Sequence, residues 1–262
     1  MGHDTNHRVS STIQHRSRRS FLRQSVLLAG TALASAGLAG RAAGAPLPIP
    51  PSAQQPGRPI PPTGYGSPSK FEEHVARRRI DVFVNRQNWS DWSMTPLQHQ
   101  HGIVTPNGLI FERHHAGIPD IDPATHKLAI HGMVKQPLVF GMSDLLRYPS
   151  VSKFHFLECS GNTLTDWTKA ASTTVQQTRG LLSCAQWTGI PAAWLLDEAG
   201  LQPGARWVLF EGADGSNHTR SIPLDKVLDD VLLVYAQNGE MLRPEQGYPL
   251  RAFIPGWGAT CR

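Results

Sequence analysis

The chain has 262 residues, 40% of them hydrophobic and 17% charged, which supplies one large core, while 24 glycines and 21 prolines exclude a simple helical bundle. Its formal net charge of +5 resides in the first 45 residues, where Arg8, Arg16, Arg18, Arg19, Arg23 and Arg41 face one acid, Asp4. Beyond them 19 basic residues balance 19 acidic ones, so the body of the protein lacks the electrostatic footprint of a nucleic-acid or anionic-membrane binder.

Ser17-Arg18-Arg19-Ser20-Phe21-Leu22-Arg23 is a twin-arginine pattern. An Ala/Gly-rich apolar run from Val26 to Gly40 follows it, then a cleavage candidate at Ala43-Gly44-Ala45. The run falls short of the roughly 20 residues that a permanent span requires. Residues 1–45 are therefore expected to be an export signal that carries an already folded protein, often with its cofactor, to the bacterial periplasm, with no membrane span in the mature form. Three cysteines, Cys159, Cys184 and Cys261, form no C-x-x-C pair, and the odd count leaves at least one thiol unpaired within the chain. A Cys159–Cys184 disulfide is the structural alternative to a working thiol.

Residues 46–100 are expected to be a linker and N-terminal extension to a body over 101–262. Pro46 to Ser69 is too poor in large apolar side chains to pack. Phe71 to Arg79 is expected to form a short helix whose basic end, Arg77-Arg78-Arg79, is solvated, and Trp89 and Trp92 are expected to pin the extension to the body. A histidine-rich stretch then holds His99, His101, His114, His115, His126 and His131. Within it, Leu109 to His115 is expected to be a strand. Adjacent histidines on a strand point to opposite faces, which argues against His114 and His115 sharing a metal. Arg113 and His115, two apart, share a face suited to holding an anion.

His126 to His131 is expected to be a strand and Ser143 to Arg147 a short helix stopped before Pro149. Val151 to Leu157 alternates apolar with polar residues, the pattern of a half-buried strand, and runs into the turn Glu158-Cys159-Ser160-Gly161-Asn162. Cys159 thus stands at a strand end, where active-site groups are commonly displayed. Gly161 permits close backbone approach to whatever the sulfur holds, and Asn162 offers donor and acceptor beside it. A metal-ligating or nucleophilic thiolate fits this setting, and so does a buried cysteine acting as a small hydrophobe. Thr163 to Thr178 reads as polar and irregular, Leu181 to Trp187 as extended. Pro191 to Ala199 reads as a helix with Gly200 as its stop. Trp207 to Phe210 reads as a strand leading to the polar loop Glu211-Gly212-Ala213-Asp214-Gly215, and Pro223 to Leu228 as a short helix. Val231 to Ala236 and Leu250 to Ile254 read as strands, with a hairpin signal at Asn238-Gly239 between them. Short strands outnumber short helices without a βαβ rhythm, so the fold class is α+β, mainly β.

Several of these stretches together resemble the molybdopterin domain of the sulfite oxidase family, most closely its sulfane dehydrogenase branch (the molybdenum subunit) from the bacterial Sox sulfur-oxidation system. They are Phe111-Glu112-Arg113-His114-His115, Glu158-Cys159-Ser160-Gly161-Asn162, Trp187-Thr188-Gly189, Phe210-Glu211-Gly212-Ala213-Asp214, Ser221-Ile222-Pro223-Leu224, Gln237-Asn238-Gly239 and Gly247-Tyr248-Pro249-Leu250-Arg251, in family order. The resemblance implies a molybdenum–molybdopterin cofactor with Cys159 as the thiolate ligand of the metal, since soft metals prefer sulfur. It implies Arg113 as the holder of an anionic sulfur substrate, and His115, Arg251 and the backbone around Ser183 as pterin contacts. Oxidation of reduced sulfur, with electrons leaving to a c-type cytochrome, is the activity it implies. The sequence departs from sulfite oxidases where Thr163 and Leu164 replace arginines after the cysteine motif, which favours a sulfane sulfur carried on a partner protein over free sulfite. His218 stands where sulfite oxidases have a tyrosine, three residues before the Ser-Ile-Pro motif, and inherits a hydrogen-bonding role at the site.

Family members continue past Gly256-Trp257-Gly258-Ala259-Thr260-Cys261-Arg262 into a further cofactor-binding segment and an immunoglobulin-like domain that makes full-length relatives dimers. The chain is accordingly expected to be C-terminally truncated, with an incomplete domain and poor metal occupancy. A cofactor-poor or inactive family member is the competing expectation, and a histidine-rich periplasmic metal-binding protein a more distant one.

Overall fold

A computed structural model describes residues 49–59, 62, 64–79, 90–164, 166 and 174–258, so the twin-arginine stretch, Trp89 and Cys261 lie outside the described residues. The chain divides into two compact units, Met1–Gly66 and Ser67–Arg262. The described part of the first holds one 3-10 turn, Pro51–Ala53, entered through Pro50 with Pro51 at its start, as proline's fixed φ favours.

The second unit is built on a five-stranded antiparallel sheet. Its strands are β6 (Val151–Glu158), β7 (Leu182–Pro191), β10 (Leu232–Gln237), β11 (Glu240–Met241) and β12 (Arg251–Phe253). They run in the order β11-β10-β7-β6, with β12 beside β10. The β10–β11 turn is the expected Asn-Gly hairpin, with Asn238 at φ 49° and Gly239 at φ 84°, the left-handed pair that such turns require. A three-stranded sheet of β1 (Arg78–Arg79), β2 (Trp92–Met94) and β3 (Glu112–Arg113) lies in the same unit. Two hairpins complete the strands: β4 (Lys127–Ile130) with β5 (Leu138–Gly141), and β8 (Trp207–Glu211) with β9 (Thr219–Pro223). The helices are short: α1 (Met142–Leu145), α2 (Val175–Thr178), α3 (Ala192–Ala199) and α4 (Leu224–Asp230). Among the described residues no helix is long and apolar enough to cross a membrane.

Both faces of the central sheet are buried over part of their area, and the strand period of two assigns the residues. One face packs Leu157, Ala185, Trp187, Leu232, Val234 and Phe253 against Trp92, Met94, Ile110 and Phe111. The other packs Ile190 and Leu233 against Leu195 and Leu196 of α3, Val227 of α4 and Ile222 of β9. Each fully buried Leu or Ile in these clusters contributes about 1.5–3 kcal/mol. Helix α3 stops as its sequence predicts: Gly200 takes φ 70°, and its N–H reaches back to the carbonyls of Leu196 and Asp197.

Three expectations are corrected here. Phe71 to Arg79 does not form a helix; it gives a 3-10 turn, Lys70–Glu72, and then β1. Its basic end is a solvated face only at Arg79, which stays exposed while pairing with Asp91; Arg77 and Arg78 are half-buried, and Arg77 ion-pairs with Glu112, a partner too distant in sequence for local pattern to reveal. Leu109 to His115 is strand only over Glu112–Arg113, since Pro106 opens a 3-10 turn at Asn107–Leu109. Cys159 and Cys184 are both free, so the disulfide between them is absent.

Candidate functional site

Cys159 follows the last residue of β6, and the turn that carries it is closed on both sides. Its N–H donates to Leu181 O at 2.9 Å, and its carbonyl accepts from Asn162 N at 2.8 Å. The buried Asn162 side chain fastens the turn: Nδ2 donates to Glu158 Oε1 at 2.8 Å, and Oδ1 accepts from Gly180 N and Leu181 N, each at 3.2 Å. The half-buried Cys159 accepts at Sγ from Gly161 N at 3.4 Å, so the turn's own backbone holds the sulfur in place. Thr163 sits just beyond at φ 78°, a left-handed conformation that costs a β-branched residue on the order of 1–3 kcal/mol and is the kind of strain that collects at functional sites.

Arg113, at the end of β3, couples electrostatically to Cys159. Burial lowers its pKa first of all, while the charges of Cys159 and Asp91 push the other way, so it remains a cation held beside the thiolate position. Its guanidinium lies 5.6 Å from the centre of the Trp92 ring and donates to His114 O. Trp92, 6% exposed, is the floor shared by both groups, because a Cβ added to Gly161 would lie 3.5 Å from the Trp92 ring and 3.7 Å from Cys159 Sγ. The missing side chain of Gly161 therefore leaves a gap about the size of one methyl group between the sulfur, the Trp92 ring and Leu181.

The two adjacent histidines diverge, although both lie past the end of β3 rather than on the strand expected for them. His114 is buried and hydrogen-bonds Glu112 Oε2 at 3.0 Å, whereas His115 is exposed and stacks on His218 with centroids 5.4 Å apart and planes 9° from parallel. Burial, then the cations Arg220 and Arg113, holds the His218 pKa below its ordinary value, with Asp214 opposing. The loop that carries Asp214 and His218 is set by Asp214 Oδ1, which accepts from Ser216 N at 3.1 Å and Ser216 Oγ at 2.5 Å. A Cβ on Gly215 would lie 3.5 Å from Ala116, so this loop lies against the segment after His115. Four of the residues singled out from sequence, Arg113, His115, Cys159 and His218, thus form one chain of neighbours.

Ser183 and Arg251 are placed differently. The Ser183 side chain is buried in the core, 2.6 Å from Thr95 Oγ1 and accepting from Phe111 N at 3.2 Å. Arg251 is also buried, its guanidinium 5.8 Å from the Trp187 ring and Nη1 donating to Gln246 O at 2.9 Å. Gln246 Nε2 in turn donates to Phe111 O at 2.9 Å, so Arg251 supports, through Gln246, the segment that leads into β3 and Arg113. By register Arg251 is opposite Val234, which is opposite Gly189 and then Val151, the end of β6 remote from Cys159. The Gln237-Asn238-Gly239 stretch is likewise scaffolding. Asn238 Nδ2 donates to Thr105 O and Asn107 Oδ1, each at 2.8 Å, and its Oδ1 accepts from Gln186 N at 2.9 Å. Sequence reading left Trp92 unassigned to the site; nothing local distinguishes a core tryptophan from one beneath an active group.

The family profile for the oxidoreductase molybdopterin binding domain matches residues 115–261. The chain belongs to this molybdopterin-binding oxidoreductase family. It is 34% identical over 176 residues to a nitrate reductase (NADPH) of Phytophthora infestans, covering 63% of this chain and 19% of that one. It is 34% identical over 184 residues to the mitochondrial sulfite oxidase of Mus musculus, covering 66% of this chain and 34% of that one. The crystal structure of the sulfane dehydrogenase SoxCD from Paracoccus pantotrophus superposes with a TM-score of 0.75 at 40% identity, over 80% of this chain and 54% of that one. The chain spans about a fifth to a third of the length of these curated relatives. The fold is thus the sulfite-oxidase type, and the cofactor of the family is molybdopterin.

The site's chemistry fits that cofactor. Among the described residues no three His, Cys, Asp or Glu side chains converge as a metal cage. One free, half-buried cysteine sulfur at a strand end, with the Arg113 cation coupled to it, suits a metal whose other ligands come with an organic dithiolene.

Proposed function

We propose that the chain is the cofactor-bearing part of an exported molybdenum oxidoreductase that oxidises reduced sulfur, as protein-bound sulfane sulfur or sulfite, and passes the electrons to a c-type cytochrome. The observation that carries this reading is the juxtaposition of Arg113 with Cys159 over the Trp92 floor. Cys159 would hold molybdenum, and the bound cofactor would supply two-electron chemistry at sulfur. Around it the chain's own residues have separable tasks. Arg113 binds and orients an anionic sulfur group by charge-assisted hydrogen bonds, with its cation steadied by the indole face. The aromatic floor keeps water from beneath both groups, which strengthens that attraction. His218, its pKa lowered first of all by burial, is stacked on His115 at the rim and offers a ring nitrogen for hydrogen bonding there.

Thr163 and Leu164 in place of arginines lower the positive charge next to the cysteine turn, which supports a carrier-bound sulfane sulfur over free sulfite. The twin-arginine leader supports the periplasm as the compartment. The nitrate reductase relatives make nitrate the competing substrate. The test is metal and pterin analysis of the purified protein, followed by cytochrome reduction with sulfite and with a persulfide-bearing peptide, and by nitrate reduction with a reduced dye. Molybdenum with pterin and sulfur-dependent cytochrome reduction is the expected result. Nitrate turnover without sulfur turnover would replace this reading with the second, and zinc or copper without pterin would refute both.

A further inference from the structure

Strand β6, which ends one residue before Cys159, is the outer strand of the path β11-β10-β7-β6, and it displays two large aromatics to solvent. Phe154 is 54% exposed and Phe156 is 59% exposed. They share a face, two residues apart, and their cross-strand neighbours on β7 are Gln186 and Cys184, so the centre of the patch carries no charge. The buried half of the same face, around Ile190 and Leu233, is covered by α3 and α4; among the described residues nothing covers the Phe154–Phe156 half in this way. A sheet face that keeps two phenylalanines in water is unfavourable unless something uses them.

We infer that Phe154 and Phe156 form the docking patch for a small one-electron redox protein that presents an apolar cofactor edge. The inference deepens the proposed function and rests on it, because it assigns the place where electrons are exchanged. Two observations select this occupant. Phe156 stands only three residues before Cys159, roughly 10 Å along one continuous strand, so a partner seated there is close to the redox centre without blocking the Arg113 side. The pair offers roughly 200 Å² of apolar surface, against about 800 Å² per partner in a stable complex. A second copy of the chain would be held poorly by so small a patch, whereas electron-transfer encounters occupy the small end of the interface range and need to dissociate each turnover.

The experiment compares the full chain with its Phe154→Ser, Phe156→Ser double variant, using oxidised mitochondrial-type cytochrome c as the probe. Binding to the immobilised enzyme, measured without substrate, is expected to weaken at least about tenfold. The kcat/KM for cytochrome reduction should fall in parallel, while reduction of ferricyanide, which needs no docking surface, and the KM for the sulfur substrate stay unchanged. Equal cytochrome binding by the two proteins overturns the assignment. So does a wild-type dimer that the double variant converts to monomer, which would give the patch to a second copy. Equal loss with ferricyanide also overturns it, since the change would then lie in the centre itself. If neither protein oxidises sulfur with either acceptor but the variant still loses cytochrome binding, the functional reading fails and the docking surface stands.

Discussion

Asn162 Oδ1 accepts the main-chain N–H of Leu181 at 3.2 Å, tying the turn that carries Cys159 to the residue before β7. The same oxygen accepts from Gly180 N, so one carboxamide satisfies two buried donors 18 and 19 residues away. Asn162→Ala leaves both unsatisfied at about 1–3 kcal/mol each. A stability loss of about 2–4 kcal/mol is expected by denaturant titration, together with reduced molybdenum per chain. Asn162→Asp retains the acceptor but places a carboxylate against Glu158, and should recover only part of the loss. Unchanged stability in the alanine variant would show that the turn is held elsewhere.

Cys159→Ser should remove the metal and its thiolate-to-metal absorption while circular dichroism stays that of the wild type, because the main chain of the turn is fixed by Leu181 and Asn162 and not by the sulfur. A hydroxyl is a harder, far less acidic ligand. Cys184→Ser should retain the metal; burial raises that thiol's pKa, which disfavours its thiolate. Metal loss from the Cys184 variant alone would reverse the assignment.

Sequence alone located this turn because its signals are local: the apolar–polar alternation of β6 and the small residues after it. Helix α3 was legible for the same reason, bracketed by Pro191 and Gly200. What escaped is non-local. The short strands β5 and β9 carry no periodic signal of their own and are strands because β4 and β8 pair with them. Arg77 resembles part of a solvated run until Glu112 arrives from another part of the chain. Arg251 matches a family stretch, yet the Trp187 ring and the Gln246 carbonyl place its guanidinium inside the core, where no hydropathy pattern predicts a charge.

Arg113→Ala should lower kcat/KM for the sulfur substrate by more than tenfold, the roughly 1.5–3 kcal/mol of a hydrogen bond to a charged group, with molybdenum content unchanged. Arg113→Lys should restore part of it, since a point charge replaces the planar fork. Loss of the metal would reassign Arg113 to holding the cofactor, and wild-type kinetics would remove it from the site.

Stability should fall as the medium is acidified through the histidine range, and His155 should carry part of the effect. Its Nε2 is buried without a hydrogen-bond partner, and its ring lies 5.8 Å from Phe253. Burial first, then the charge of Lys153, lowers its pKa in the folded state, with Asp230 opposing. The unfolded chain therefore takes up the proton first. Above about pH 6.5 both states are neutral and nothing is lost; below it stability declines until the lowered folded pKa is passed. Melting temperatures of wild type and His155→Phe between pH 7.5 and 5 should diverge, the variant showing the shallower dependence. Parallel curves would assign the acid sensitivity to other groups.

Two glycines separate the fold's requirements from the site's. Gly189 on β7 is opposite Val234 of β10, and an added Cβ would lie 2.5 Å from Val234 Cα and overlap the Leu233 carbonyl oxygen. Both are main-chain atoms of the adjacent strand, so no rotamer change relieves the collision and the β7–β10 ladder must part. Gly189→Ala should cost about 3 kcal/mol or more, seen as a large drop in melting temperature or as insoluble protein. At Gly161 the added Cβ meets Trp92, Cys159 Sγ and Leu181 at 3.5 to 3.8 Å, ordinary contacts that the fold accepts. Gly161→Ala should therefore melt near the wild type yet hold less molybdenum, because the methyl occupies the space beside the thiolate. Full occupancy in the Gly161 variant would mean that the cofactor approaches Cys159 from another side, and a wild-type melting temperature for Gly189→Ala would mean that the strands are not packed this closely.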